Sequence, residues 1–117
     1  MKNANLKTSV ENVSEVPVLK VAGEIDLYTS PDFKSAIISI IDSGAKDIII
    51  DLTDVSYMDS GGFGVLLGAV RKVKPLGGSI NLVGCGENIR RILSITRLDT
   101  IFKLFESVDE AVKAIKG

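Results

Sequence analysis

The feature that most constrains the fold is a compact apolar run in the middle of the chain. Ile48, Ile49 and Ile50 are consecutive, and Leu52 follows after a single aspartate. The run is short, β-branched and does not alternate with polar residues, as is typical of a strand buried on both faces of a sheet. Such strands belong to proteins in which helices cover both faces of a largely parallel sheet. The run therefore predicts an α/β fold.

A helix is predicted soon after this strand, beyond a polar segment at residues 53–56 that predicts a turn. Its apolar positions recur with helical spacing and are Phe63, Leu66, Leu67, Val70 and Val73. Asp59 and Ser60 precede them, and either side chain suits an N-cap, where it accepts a backbone N–H of the first turn. The unpaired N–H groups of a first turn also favour an anion such as phosphate. Capping and function both remain open on spacing alone.

Four glycines in this helix indicate a purpose other than helix stability. Each of Gly61, Gly62, Gly64 and Gly68 costs roughly 1 kcal/mol relative to alanine in a helix interior. On a helical wheel, the residues opposite the apolar stripe are Gly61, Gly64, Val65, Gly68, Arg71 and Lys72. This pattern predicts a smooth docking surface for another protein beside the Ser60 hydroxyl. The alternative is that the glycines allow close packing inside the domain.

Length, charge and composition exclude several classes of function. The 117 residues suffice for one domain with one core, over residues 1–117, with residues 1–5 expected to be disordered. A net charge of −1 gives no electrostatic footprint for nucleic acid. The chain has no histidine, the commonest general base and metal ligand, so we expect no catalytic site, no metal and no cofactor.

The cysteine content and the apolar segments bear on the compartment. Cys85 is the only cysteine, so no internal disulfide forms, and a reducing cytoplasm is expected. It ends a strand-like run, which favours an inert buried thiol. No apolar segment reaches the roughly 20 residues that span a bilayer, and the N-terminus shows no secretory signal. We therefore expect a cytoplasmic protein without a membrane partner.

The remaining elements can be placed from their apolar patterns and from turn and capping residues. Strands are predicted at residues 6–10, 16–22, 47–52, 79–83 and 101–105, and helices at residues 31–43, 60–74, 87–95 and from 107 onwards. Ser30 is predicted as the cap of the first helix, with Pro31 at its first position. The polar turn at residues 11–15 predicts an antiparallel hairpin, and the later alternation predicts parallel strands. We expect a mixed sheet of about five strands with about four helices.

Two motifs, with supporting matches elsewhere, identify a family resemblance. They are Gly-Glu-Ile-Asp at residues 23–26 and Tyr-Met-Asp-Ser-Gly-Gly-Phe-Gly-Val at residues 57–65. The Gly-Gly turn at residues 77–78 and the apolar and capping pattern of residues 98–111 also match. The chain resembles the STAS domain family, and within it the bacterial anti-sigma factor antagonists, over nearly its whole length.

This resemblance implies a regulatory switch. Ser60 corresponds to the serine that an anti-sigma factor, acting as an ATP-dependent kinase, phosphorylates. The unmodified antagonist binds that anti-sigma factor and releases the sigma factor, the phosphorylated form does not bind, and a phosphatase resets the cycle. Asp26 and Asp59 are expected close to Ser60. The family often has Ser or Thr at the position of Gly61 and Leu at that of Phe63, so partner choice can differ here. The implied partner-binding residues are Asp26, Asp59, Gly61, Gly62, Gly64, Val65, Gly68, Arg71 and Lys72.

Two other classes of function are alternatives to this interpretation. The first is a STAS accessory subunit that docks on a transporter or lipid-trafficking complex through the same surface. The second is an enzyme with Ser60 as nucleophile, which the missing histidine base and the lack of a Gly-x-Ser-x-Gly motif disfavour. Nucleotide binding at the junction has no phosphate-binding loop motif to support it.

Overall fold

Residues 6–117, described by a computed structural model, form a five-stranded mixed sheet with four α-helices. The strands are β1 (Leu6–Val13), β2 (Val16–Ile25), β3 (Asp47–Met58), β4 (Ser79–Val83) and β5 (Lys103–Phe105), and the helices are α1 (Ser30–Asp42), α2 (Ser60–Val73), α3 (Glu87–Ile95) and α4 (Val108–Lys116). The strand order is β1-β2-β3-β4-β5, with β1 antiparallel to β2 and the later pairs parallel. The predicted α/β class is confirmed. The disorder expected for residues 1–5 lies outside the described residues.

The opening hairpin is tighter than the sequence predicted. Ser14 and Glu15 alone form the turn, and both have positive φ angles, 51° and 71°. Two such residues match the right-handed twist of the flanking strands. Pairing therefore continues through residues predicted as turn, including Glu11 with Val18. The predicted turn over residues 11–15 was too long.

The central strand β3 is longer than predicted, because the polar segment at residues 53–56 is strand and not turn. Asp54 and Val55 pair with Ala22 and Gly23 of β2, next to irregularities in the register. The prediction failed because the solvent-facing side chains of this segment are polar while the backbone stays paired. The β3–β4 pairing ends at Asp51 and Val83. The last part of β3 therefore extends beyond β4, beside β2.

The core lies on both faces of the sheet, as the apolar run predicted. Ile48 and Ile50 pack in the larger cluster with residues of α1, α2 and α3. Ile49 packs in the smaller cluster with Ala111 and Val112 of α4. All three isoleucines are fully buried. A strand buried in this way fixes the position of the chain that leaves its carboxyl end, which is where α2 begins.

The C-terminal part departs from prediction in two details. Strand β5 is short, because a 3-10 turn at Leu98–Thr100 precedes it and Phe102 is buried in the larger core. The helical spacing of Ile89, Ile92 and Leu93 predicts that all three face inward, but Ile92 is 38% exposed. Ser107 caps α4, since its hydroxyl oxygen accepts the Glu110 N–H at 3.2 Å, while the Glu110 carboxylate accepts the Glu106 N–H at 3.2 Å. Within residues 6–117, every helix is too short or too polar to cross a bilayer.

Candidate functional site

The two aspartates of the sequence motifs follow the carboxyl ends of neighbouring parallel strands. Ile25 of β2 is in register with Met58 of β3, so Asp26 and Asp59 are the next residues on each strand. The Asp59 N–H donates to the Ile25 carbonyl oxygen at 3.0 Å, which continues the pairing one residue further. The fold thus brings Asp26 to the junction where α2 begins, as the family resemblance implied.

Asp59 caps α2, and Ser60 is the first residue of the helix. The Asp59 carboxylate accepts the Gly61 N–H at 2.9 Å, and the Asp59 carbonyl oxygen accepts the Gly62 N–H at 3.0 Å. The Ser60 side chain is exposed at the surface. Capping is therefore carried out by the aspartate, and the serine hydroxyl does not supply the cap. This settles the ambiguity between Asp59 and Ser60 that the sequence left open.

The loop between β2 and α1 is held by Asp26 and Thr29. The Asp26 carboxylate accepts the N–H groups of Tyr28 and Thr29 at 2.9 and 3.1 Å. The Thr29 hydroxyl accepts the Asp26 N–H at 2.9 Å and donates to the Glu24 carbonyl oxygen at 2.7 Å. Thr29 is only 3% exposed. Asp26 thus shapes the loop next to Ser60, and its predicted contact with a partner stays a prediction.

The N-terminus of α1 differs from the prediction by one residue. The helix begins at Ser30 with Thr29 at the N-cap position, so Ser30 is not the cap. Thr29 makes no side-chain cap bond, because its hydroxyl is already bonded within the loop to Glu24. Sequence reasoning overlooked Thr29. The signal that could have identified it is the spacing Asp-x-x-Thr, in which the side chain of each residue bonds the backbone N–H of the other.

The four glycines of α2 divide into three environments. A Cβ atom on Gly64 or Gly68 would have no neighbour within 4 Å apart from its own helix backbone and chain neighbours. A Cβ on Gly61 would lie 3.4 Å from the Ser30 hydroxyl oxygen, and one on Gly62 would lie 2.8 Å from the Ile25 Cγ2 atom. The open space at Gly64 and Gly68 argues against internal packing as their purpose.

Gly62 is the exception among the predicted docking residues. It is buried against Met58 and Ile25, where even a methyl group would clash with both side chains. Gly62 therefore allows α2 to approach the ends of β2 and β3 closely, and it cannot belong to an exposed docking surface. The packing explanation that the sequence left open holds for this one glycine.

Because three of the α2 glycines carry no side chain on this face, a groove of about 320 Å³ lies between α1 and α2. Its α2 wall is formed by Gly61, Gly64, Val65, Gly68, Ala69 and Lys72. Its α1 wall is formed by Lys34, Ile37, Ile38 and Ile41, which sequence reasoning did not assign to the site. Because Ile37 of α1 also belongs to the core, the apolar pattern alone did not separate groove residues from core residues. Arg71 is exposed on α2 outside the groove lining.

Two further observations concern metal binding and cysteine reactivity in the described part of the chain. Among residues 6–117, no three acidic, cysteine or histidine side chains are arranged to hold a metal ion. Burial raises the pKa of the Cys85 thiol from 9.0 to about 11, although the cation of Arg90 acts in the opposite direction. Cys85 is only partly buried, not fully buried as the sequence favoured. A thiol with so high a pKa is nevertheless a poor nucleophile at neutral pH, which agrees with the expectation of an inert cysteine.

Comparisons with known proteins agree with the fold and with the motifs. The STAS domain sequence model matches residues 7–111. The chain is 39% identical over 94 residues to the anti-sigma-B factor antagonist of Bacillus subtilis, covering 80% of this chain and 84% of that protein. It superposes with a TM-score of 0.89 and 30% identity on an anti-sigma factor antagonist from Mycobacterium paratuberculosis, covering 99% of this chain and 98% of the other. The chain belongs to the STAS domain family.

Proposed function

We propose that this protein is an anti-sigma factor antagonist and that phosphorylation of Ser60 switches its binding off. In the unmodified state it binds an anti-sigma factor and so releases a sigma factor for transcription. The anti-sigma factor is also the serine kinase that modifies Ser60, and a phosphoserine phosphatase reverses the modification. The protein acts in the cytoplasm, without a catalytic site of its own. The relationship to the Bacillus subtilis antagonist supports this assignment.

The position of Ser60 is the observation that carries the proposal. Its side chain is exposed at the first turn of α2, while Asp59 supplies the cap. A kinase reaches this hydroxyl without breaking a capping bond, and the positive end of the helix stabilises the phosphate that it adds. Ser30 lies near Gly61, so α1 also begins close to this position.

The docking surface consists of the glycine groove and the charged residues beside it. Gly61, Gly64 and Gly68 allow a partner to approach the backbone of α2 closely, and Val65 contributes apolar area. Lys72 in the groove and exposed Arg71 supply positive charge next to the apolar floor. Asp26 and Asp59 border the same junction. The partner that fits is a protein with an apolar contact face and acidic side chains at its edge.

Phosphorylation changes charge at the edge of this surface. A phosphoserine carries about −1.5 to −2 charge at neutral pH. Two carboxylates, Asp26 and Asp59, follow the ends of the adjacent strands, so the added dianion increases the local negative charge. A partner surface matched to a neutral hydroxyl would have to bury a hydrated charge without a counter-ion, which is costly. Release therefore needs no refolding of the antagonist.

The experiment that tests this proposal is phosphorylation in vitro. The protein is incubated with ATP and each member of a panel of purified anti-sigma factors, including the anti-sigma-B factor of Bacillus subtilis. Mass spectrometry then locates the phosphate. We expect a single phosphate on Ser60 and none on the Ser60→Ala variant. A phosphate on Thr53, Ser56 or Ser79 with Ser60 unmodified would contradict the proposal.

A further inference from the structure

Two large apolar side chains project into solvent from the loop between β2 and α1. Leu27 is 74% exposed and Tyr28 is 83% exposed, and only Asp26 separates them from the buried Ile25. Single exposed apolar side chains are common on protein surfaces, but two adjacent ones in the same loop form a patch. Neither side chain contributes to the core clusters. The patch stands at the same end of the sheet as Ser60.

The loop that carries this patch is held in one conformation by its own hydrogen bonds. Asp26 accepts the N–H of Tyr28 itself, and buried Thr29 ties the loop to Glu24. A contact surface that is ordered before binding loses little conformational entropy when a partner arrives. Tyrosine suits such a surface, because it offers a large contact area with few rotatable bonds.

The loop that carries the patch leads into the first turn of α1, which lies beside the Ser60 site, whereas Tyr57 belongs to β3. Ser30, which follows the loop, lies against the first turn of α2 at Gly61. Met58 packs into the core on the α1 and α2 side of the sheet, so its neighbour Tyr57 points to the opposite side. Tyr57 is 53% exposed. Tyr57 is therefore a suitable control for Tyr28, because it is an exposed tyrosine at the same end of the sheet but on a different face.

We propose that Leu27 and Tyr28 are the apolar anchor by which the unphosphorylated protein holds the anti-sigma factor. This inference rests on the function proposed above and adds residues that neither motif predicted as contacts. The partner must offer an apolar pocket for a tyrosine ring next to the region that meets the Ser60 hydroxyl. The anchor then supplies affinity for the anti-sigma factor and positions Ser60 at the kinase active site. Phosphorylation of Ser60 determines whether the complex stays together.

The test measures binding and phosphorylation with the same anti-sigma factor panel. Titration calorimetry gives the Kd for the unphosphorylated protein, and initial rates with ATP give kcat/KM for phosphorylation of Ser60. Tyr28→Ala and Leu27→Ala should each weaken binding at least about tenfold, as expected for a central apolar contact, and lower kcat/KM in parallel. Thermal unfolding should not change, because both side chains are exposed. Tyr28→Phe should bind like the wild type, and Tyr57→Ala should have little effect.

Two results would overturn the anchor, and they can be separated from failure of the proposed function. If Tyr28→Ala binds as tightly as the wild type, or if Tyr57→Ala weakens binding equally, the loop is not the anchor, while Ser60 can still act as the switch. If no member of the panel binds or phosphorylates the unmodified wild type, the proposed function fails and the anchor fails with it.

Discussion

The hydroxyl oxygen of Ser30 lies 3.4 Å from the position that a Cβ atom on Gly61 would occupy. The first turns of α1 and α2 therefore meet directly beside Ser60. They meet because β2 and β3 are parallel neighbours, so the segments after their carboxyl ends leave the sheet at the same edge. One consequence is that the Ser60 site, the groove between α1 and α2, and the start of α1 lie next to one another.

Alanine at Gly62 and at Gly64 should change stability in opposite directions. A methyl group on Gly62 would overlap Met58 and Ile25, and overpacking of this kind costs about 1–3 kcal/mol. The same substitution at Gly64 meets open space and improves helix propensity, which stabilises by up to about 1 kcal/mol. Urea unfolding of the two variants measures both effects. Equal destabilisation of both would mean that Gly64 is also packed internally.

A longer side chain in the groove should reduce binding without unfolding the protein. Gly64→Gln and Gly68→Gln place polar atoms where a partner approaches the α2 backbone, and we expect weaker anti-sigma factor binding with a largely unchanged unfolding curve. Binding and unfolding are measured on the same samples.

The control for the groove variants is a core substitution in the same helix. Leu66 is fully buried, so Leu66→Ala should cost about 2–5 kcal/mol of stability through the cavity that it leaves. Leu67, which the helical wheel placed in the core, is only partly buried and is a less suitable control. Glutamine variants that unfold, with unchanged binding per folded molecule, would show that the glycines serve packing.

The cap of α2 should depend on the shape of the Asp59 side chain more than on its charge. Asp59→Ala removes the acceptor for the Gly61 N–H and should cost about 1 kcal/mol, the usual value for a lost N-cap. Asp59→Asn keeps an oxygen acceptor and should retain most of the stability. Chemical denaturation of the two variants distinguishes them. An Asn variant as unstable as the Ala variant would show that the cap bond requires the carboxylate.

The Cys85 thiol should react slowly in the folded protein. Burial raises its pKa to about 11, so little thiolate exists at neutral pH, and alkylation by iodoacetamide should accelerate after unfolding. Because the folded pKa lies above the unfolded value of 9.0, the thiol contributes stability below pH 9 that is lost as the pH rises towards 11. A Cys85→Ala variant should lack that loss. Fast alkylation of the native protein at pH 7 would contradict the assignment.

The sequence predicted the elements whose burial is visible in their composition, and it missed those that depend on pairing between segments. The isoleucine run indicated a strand covered on both faces, and the capping residues located α2. The extension of β3 was missed because its polar residues resemble a turn, although β2 holds the backbone in place. The α1 residues that line the groove were missed because a helical wheel describes the faces of a single helix. It contains no information on the gap between two helices.

The central claim is that Ser60 acts as a switch through charge, and the most direct measurement compares the anti-sigma factor affinities of four proteins. These are the wild type, Ser60→Ala, Ser60→Asp and Ser60→Asn, each with its thermal unfolding curve. Asp and Asn have nearly the same size, so their difference isolates the charge. We expect Ser60→Ala to bind constitutively, Ser60→Asp to bind poorly, Ser60→Asn to retain most of the affinity, and all four to unfold alike. Equally poor binding by Asp and Asn, or a lower stability confined to Ser60→Asp, would contradict a switch based on charge.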